Sequence, residues 1–219
     1  MQPRPFIYNP PKTELNIIYK DDDILVLDKP SGLLSVAGNQ PHLADCLESR
    51  AKAKFSNALI VHRLDKDTSG IIILALNKKA HANIGLQFER RKIEKQYIAN
   101  VWGKVEYDSG QIDAPLITDW INRPKQKIDF EKGKSAVTNW QIIKRNNNFT
   151  TVLLSPITGR SHQLRVHMLS LGHPILGDNL YAHDEALKAA KRLELHATFI
   201  KLTHPTSGND ISFTSKPSF

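Results

Sequence analysis

Val61-His-Arg-Leu-Asp-Lys-Asp-Thr-Ser-Gly70, followed directly by Ile71-Ile-Ile-Leu-Ala-Leu76, is the stretch on which the reading of this chain turns. Gly70–Leu76 is a short, near-continuous apolar run rich in isoleucine. Its length and β-branched content predict a strand buried on both faces. The part before it gathers His62, Arg63, Asp65, Asp67, Thr68 and Ser69 into one short polar loop. A polar loop anchored by a rigid strand is a good mount for reactive groups.

Working outward, strand-like runs at Leu15–Tyr19 and Ile24–Asp28 flank an acidic turn, Asp21-Asp22-Asp23, and Lys29-Pro-Ser-Gly32 then breaks the chain. A helix is expected over about 42–54. Lys78–Arg91 spaces Ala80, Ile84 and Phe88 four residues apart, the pattern of an amphipathic helix ending in basic residues. Gln96–Trp102 reads as a strand, and 128–154 as hairpins broken at Glu131-Lys-Gly-Lys134 and Asn146-Asn-Asn148. Arg160–Leu171 reads as a helix, and Leu193–Thr203 and Asp210–Thr214 as late strands. Strands and helices mix without steady alternation, so the expected class is α+β with a mixed, mostly antiparallel central sheet flanked by helices and loops. Residues 1–14 form an extended lead-in, and 15–219 a single domain.

The bulk numbers set the surroundings. The chain has 219 residues, 40% of them apolar and 24% charged, the composition of a globular protein. A net charge of +8 and a sequence pI near 9.5 favour polyanionic partners, RNA or DNA first. The single cysteine, Cys46, excludes a disulfide within the chain and fits a reducing compartment. It lies in a helix-like stretch and reads as buried filler. The N-terminus lacks the apolar core of a signal peptide, and no apolar run approaches the roughly 20 residues that span a bilayer. A cytoplasmic protein without a membrane partner is expected. Among nine histidines, His162 and His167 stand five apart and do not share a helical face; with one cysteine, no metal site is expected.

The polar loop admits three chemical readings. Asp65-x-Asp67-x-Ser69-Gly70 matches the start of an EF-hand loop, but that pattern needs a bidentate Glu at its twelfth position, where this chain has Leu76. Asp65-x-Asp67-Thr68 resembles the nucleophile motif of aspartyl-phosphate phosphatases, but there the apolar strand precedes the motif, and here it follows. In the third reading, His62-Arg63-Leu64-Asp65-x-Asp67-Thr68-Ser69-Gly70 resembles the signature of the RluA family of RNA pseudouridine synthases. Lys29-Pro-Ser-Gly-Leu-Leu-Ser35 is similar to that family's first motif and Lys95-Gln-Tyr97 to its tyrosine strand. Ile157-Thr-Gly-Arg-Ser-His-Gln-Leu-Arg-Val-His-Met168 resembles its arginine motif. Gly172-His-Pro-Ile-Leu-Gly-Asp178, Tyr181 and Leu195-His-Ala197 resemble its closing region. These matches follow the family's order and cover roughly residues 15–215.

The resemblance implies the pseudouridine synthase fold and an isomerase that converts uridine to pseudouridine in structured RNA without a cofactor. With about fourteen residues before the first strand, no N-terminal S4 RNA-binding domain is expected. The short layout, with Asn122-Arg-Pro-Lys-Gln-Lys127, looks most like dual-specificity members acting on 23S ribosomal RNA and the tRNA anticodon stem-loop, here as a monomer. Asp65 is implied as the catalytic carboxylate and Arg165 as the cation beside it, since an arginine fork can fix a carboxylate. Tyr97 is implied to pack on the target uracil and is a candidate to take its C5 proton. Arg63 is implied to fill the gap left by a flipped base. His62 reads as structural or RNA-contacting, and Arg123, Lys125 and Arg160 as further RNA contacts. A catalytically silent RNA-binding module is the alternative from another class. It would lack one of Asp65, Tyr97 and Arg165, and all three are present.

Overall fold

The computed structural model describes residues 8–219. Residues 1–7 of the expected lead-in lie outside the described residues. From residue 8 the chain has no regular structure until the first strand, but Tyr8 is anchored. Its hydroxyl donates to the Asp45 carbonyl at 2.6 Å and accepts from the Leu34 amide at 3.1 Å.

The elements run β1 (Asn16–Lys20), β2 (Ile24–Lys29), α1 (Leu47–Lys54), β3 (Leu59–Ile60), β4 (Ser69–Ala75), α2 (Lys78–Glu89), β5 (Glu94–Trp102) and β6 (Ser109–Asp113). They continue with β7 (Leu116–Thr118), β8 (Gln126–Ile128), β9 (Val137–Arg145), β10 (Phe149–Pro156), α3 (Gln163–Ser170), α4 (Asp184–Lys188), β11 (Leu195–Thr203) and β12 (Asp210–Thr214). Ten strands make one sheet, in the order β1-β2-β4-β11-β5-β10-β9-β6, with β12 on β11 and β3 on β4. All its ladders are antiparallel except β4–β11, which is parallel and only two residue pairs long. Strands β7 and β8 form a separate hairpin. The class is therefore α+β with a mixed, mostly antiparallel sheet.

Strand β4 is buried along its whole length because it is covered on both faces. Ile72 and Leu74 pack with Leu25 and Leu27 of β2 and with Leu47 and Ala51 of α1. Ile71, Ile73 and Ala75 face the other way, onto Ile24, Val26 and the α2 residues Ala80 and Ile84. Two-sided burial removes the polar/apolar alternation of a half-exposed strand, which is why the sequence reads as an unbroken apolar run. Each fully buried Leu or Ile contributes about 1.5–3 kcal/mol in transfer free energy. A third cluster, around Val101, Val152, Leu154 and Met168, fills the other half of the sheet.

Some elements differ from the sequence expectation. The helix expected over 42–54 is divided into a short 3-10 turn, Pro41–Leu43, and α1. The division falls at Cys46, whose backbone is extended and whose thiol accepts from the Ser49 amide. Ser49 Oγ accepts in return from the Cys46 amide, closing a capping box. Cys46 is buried as expected, and is also a helix cap. The helix expected from Arg160 begins only at Gln163, because His162 takes a left-handed conformation with φ 54°. Strands β3, β6, β7 and β8 and helix α4 have no counterpart in the sequence expectation; all are short, and most of β6 is exposed.

Gly70 is where the polar loop enters the sheet. Its φ is +108°, and a Cβ there would overlap the backbone of Ala197 on β11. Only glycine suits both conditions. Gly70→Ala should therefore break the β4–β11 pairing and cost about 2 kcal/mol or more. In a domain of this size that corresponds to a fall in Tm of roughly 4–8 °C. Calorimetry of the variant checks it; an unchanged Tm would show that β4 and β11 can move apart at no cost.

Candidate active site

Strand β4 is too deeply buried to present chemistry, so the reactive groups project from the loop before it. That loop is held on both sides by the segment leaving β2. Ser35 Oγ donates to the Leu64 carbonyl at 2.7 Å and accepts from the Leu64 amide at 3.1 Å. Lys29, fully buried, donates from Nζ to the carbonyls of Lys66, Pro30 and Leu33 at 2.8–2.9 Å. Gly32 donates its amide to the Lys66 carbonyl at 2.9 Å, and Ser31 Oγ donates to the Asp67 carbonyl at 2.7 Å. Asp65 is thus pinned from the residues immediately before and after it. Burial pulls the Lys29 pKa down to about 7, although Asp67 and Asp65 oppose it.

Below the loop, Ser69 Oγ lies 2.9 Å from His196 Nδ1, and His196 Nε2 lies 3.1 Å from Ser215 Oγ, which donates to Asp28. Ser69 is buried, so this line of polar groups ties strands together rather than presenting a nucleophile.

A cavity of about 470 Å³ opens over the loop. Its lining includes Arg63, Asp65, Lys95, Tyr97, Arg160, His162 and Arg165. The volume falls within the ~300–1,000 Å³ of sites that bind small molecules or single bases. Arg165 comes from α3 and is only 3% exposed. Its Nη1 is 3.5 Å from Asp65 Oδ2. The fork itself is occupied elsewhere: Nε donates to Asp178 Oδ2 at 2.8 Å and Nη2 to Asp178 Oδ1 at 2.6 Å. Asp178 is completely buried and also accepts the amides of Leu180 and Tyr181. The sequence reading had set the fork on Asp65. A carboxylate buried as deeply as Asp178 requires the stronger, bidentate partner, which leaves one guanidinium edge for Asp65. Burial opposes the charge on Arg165, but Asp178 and then Asp65 more than offset this and raise its pKa.

Tyr97 stands mid-sheet on β5, opposite Leu154 on one side and Ala197 on the other. It packs where two core clusters meet while its ring lines the cavity. Burial, reinforced by the nearby Asp65 charge, pushes its phenol well above the usual range. His62 Nε2 accepts from the Ile73 amide at 2.9 Å, continuing the edge of β4 where β3 stops, and its ring packs on Phe88. Burial drives its pKa down to about 3, so it is neutral and brings no charge to a phosphate. This placement favours the structural alternative for His62. Arg63 is exposed at the cavity rim, as is Arg160, whose Nε donates to the Ser135 carbonyl at 3.1 Å. Arg123 and Lys125 lie outside the cavity, on the β7–β8 connection, where the Arg123 guanidinium stacks 3.3 Å over the Trp120 ring. Among the described residues no group of three or more His, Cys, Asp or Glu is placed to hold a metal.

Comparison with known proteins bears on what this arrangement is. The model of a family described as RNA pseudouridylate synthase matches residues 23–170, a span that holds Asp65, Tyr97 and Arg165. The chain belongs to the RNA pseudouridylate synthase family. It is 51% identical over 214 residues to the dual-specificity RNA pseudouridine synthase RluA of Haemophilus influenzae, covering 97% of this chain and 98% of that one. The proteins of the same description from Yersinia pestis and Escherichia coli (strain K12) are 52% and 50% identical, over 93% and 97% of this chain and 99% and 98% of their own. Among solved structures, human RNA pseudouridylate synthase domain containing 1 superposes with a TM-score of 0.80 at 28% identity, covering 96% of this chain and 87% of that one.

In this synthase-family site, the sequence marks Asp178 only as the end of the motif Gly172–Asp178 and assigns it no role. Only its burial shows that Arg165 depends on it. Lys95, which the sequence marks only as part of Lys95-Gln-Tyr97, lines the cavity, with burial lowering its pKa. Asp178→Asn should leave the buried Arg165 without its counter-charge, at about 3–5 kcal/mol. We expect a lower Tm together with a larger loss of turnover than of RNA affinity. Thermal unfolding and RNA binding, measured beside single-turnover rates, check this. A variant as stable and active as the parent would refute the dependence of Arg165 on Asp178.

Proposed function

We propose that this chain isomerises uridine to pseudouridine in two structured RNAs, 23S ribosomal RNA and a tRNA anticodon stem-loop, with Asp65 as the catalytic carboxylate. The observation that carries the reading is the meeting of Asp65, Tyr97 and Arg165 in one cavity, with Asp65 and Arg165 3.5 Å apart. The near full-length similarity to proteins described as dual-specificity supports the choice of two RNAs. Monomeric action in the cytoplasm, where both RNAs reside, completes the reading. Among the described residues no helix is long and apolar enough to cross a membrane.

The reaction breaks N1–C1′, turns the uracil and joins C5 to C1′; the C5 proton leaves and N1 gains one, so atoms and electrons balance without a cofactor. Asp65 supplies a carboxylate, as nucleophile at C1′ or base at C2′. Arg165 Nη1, 3.5 Å away, holds one of its oxygens in place. Tyr97 supplies a flat wall for the uracil. Its raised pKa keeps the phenol protonated at rest, which supports the packing role over that of a ready phenolate base.

The target must leave its stack for Asp65 to reach C1′. Arg63, exposed two residues from Asp65, is the group we assign to the vacated space. Arg123, Lys125 and Arg160 supply distributed positive charge for the phosphates.

The decisive measurement is tritium release from uracil labelled at C5, on separate ribosomal and tRNA stem-loops. Wild type should release it from both. Asp65→Asn, which keeps shape and removes the carboxylate, should abolish release while RNA affinity and Tm stay near wild type. Near-normal release by that variant would sink the assignment. Release from one RNA only would remove the dual specificity and leave the chemistry. Arg63→Ala should slow single turnover more on a well-stacked loop than on a bulged one, because the unstacking cost of a few kcal/mol is smaller there. Its salt dependence should change by about one phosphate contact at most. An equal defect on both RNAs, explained wholly by weaker binding, would make Arg63 a phosphate contact only.

A further inference from the structure

Tyr181 stands between the β7–β8 hairpin and the cavity, and its hydroxyl has two neighbours. It accepts from the backbone amide of Gln126 on β8 at 2.7 Å. It also lies 2.7 Å from His162 Nδ1. An amide can only donate, and a phenol carries one proton. With one acceptor position of the hydroxyl taken by the amide, the arrangement that uses the phenol's own proton has Tyr181 donating to a bare His162 Nδ1. A neutral imidazole then carries its own proton on Nε2. That nitrogen is 4.0 Å from Asp65 Oδ2.

The surroundings are built for this arrangement. The two rings meet edge to face at 84°, with centroids 5.6 Å apart, and the Arg165 guanidinium lies 5.2 Å from the Tyr181 ring. His162 holds its position with φ 54°, a left-handed conformation that costs a residue with a Cβ about 1–2 kcal/mol. Such strain persists where the surrounding contacts over-determine it. Burial pushes the Tyr181 phenol up to about 12 and lowers the His162 pKa against the opposing charge of Asp65. Both groups thus hold, near neutral pH, the protons that the geometry requires.

We propose that Tyr181 and His162 are positioning residues: the Tyr181 hydroxyl fixes His162 as its Nε2–H tautomer, and that N–H orients the Asp65 carboxylate. The proposal rests on the reading of Asp65 as the catalytic carboxylate. At 4.0 Å the last contact is electrostatic, and a small movement on substrate binding closes it to a hydrogen bond. Because Gln126 belongs to β8, three links join the hairpin that carries Arg123 and Lys125 to the reacting carboxylate.

Two measurements on the full chain test this. Long-range 15N–1H NMR of histidine-labelled protein reads the tautomer without reference to activity. His162 should show a protonated Nε2, and Tyr181→Phe should turn it into a mixture. A protonated Nδ1 in the wild type overturns the proposal whatever Asp65 does. The second measurement is kcat and KM on a short RNA stem-loop. Tyr181→Phe keeps the ring and should lower kcat roughly tenfold while moving KM less than about twofold. His162→Gln supplies an amide donor that has no tautomer, so it should retain more activity than His162→Ala. In the His162→Gln background, Tyr181→Phe should cost less than about twofold. Equal losses in both backgrounds would place the hydroxyl's effect at Gln126 alone and overturn the proposal. Full turnover by Asp65→Asn would show that the underlying reading had failed, and the NMR result would still report separately on the tautomer.

Discussion

The Arg165–Asp178 pair lies almost wholly out of water, at 3% and 0% exposure. Neither charge is tolerable there alone, and desolvating both is costly even when they are paired. The pairing is tolerated because both oxygens of Asp178 are engaged, Oδ2 by one guanidinium nitrogen and Oδ1 by the other and by two backbone amides. It locks α3 to the segment that follows it. One edge of the guanidinium is left over, and that edge faces Asp65. The counter-charge at the cavity is thus placed by a contact that substrate never meets.

The opposite side of the loop depends on the register of β2 and β4. Their antiparallel ladder ends with Lys29 beside Gly70. The turn after Lys29 and the loop before Ser69 therefore leave neighbouring strands at the same end of the sheet. Proximity follows from the register, and the buried ammonium of Lys29 then draws three carbonyls around itself. A segment whose side chains must be polar and accessible is rigid because its backbone is gripped from behind.

Local pattern made much of the fold legible. Strands β2, β4 and β5 and helix α2 declare themselves through apolar spacing, because each is covered by a core cluster. Strands β6 and β7 do not: β6 is exposed at four of its five positions, and β7 is only three residues long. Cys46 was read only as filler because a thiol is a weak acceptor and an uncommon cap. At the site, ordered motifs indicated which residues belong together but not which atoms meet. The fork of Arg165 on Asp178 spans 13 residues and His62 on Ile73 spans 11, and both depend on how separate elements pack. The left-handed His162 has no sequence mark at all, since glycine, the usual sign of that conformation, is absent there.

The tip of the hairpin leaves Trp120 and Ile121 68% and 94% exposed, with Arg123 laid on the indole. Such a tip would be sticky toward other copies of the same chain. The lysines beside it, Lys125 and Lys127, together with a net charge of +8, supply the repulsion that keeps copies apart. That repulsion reaches about 10 Å at 0.1 M salt and shrinks as salt rises. The tip is therefore held in a colloidal balance, quiet among like-charged neighbours and adhesive where a polyanion or concentrated salt cancels the lysines. Concentrated stocks in high salt lose that protection first at the hairpin.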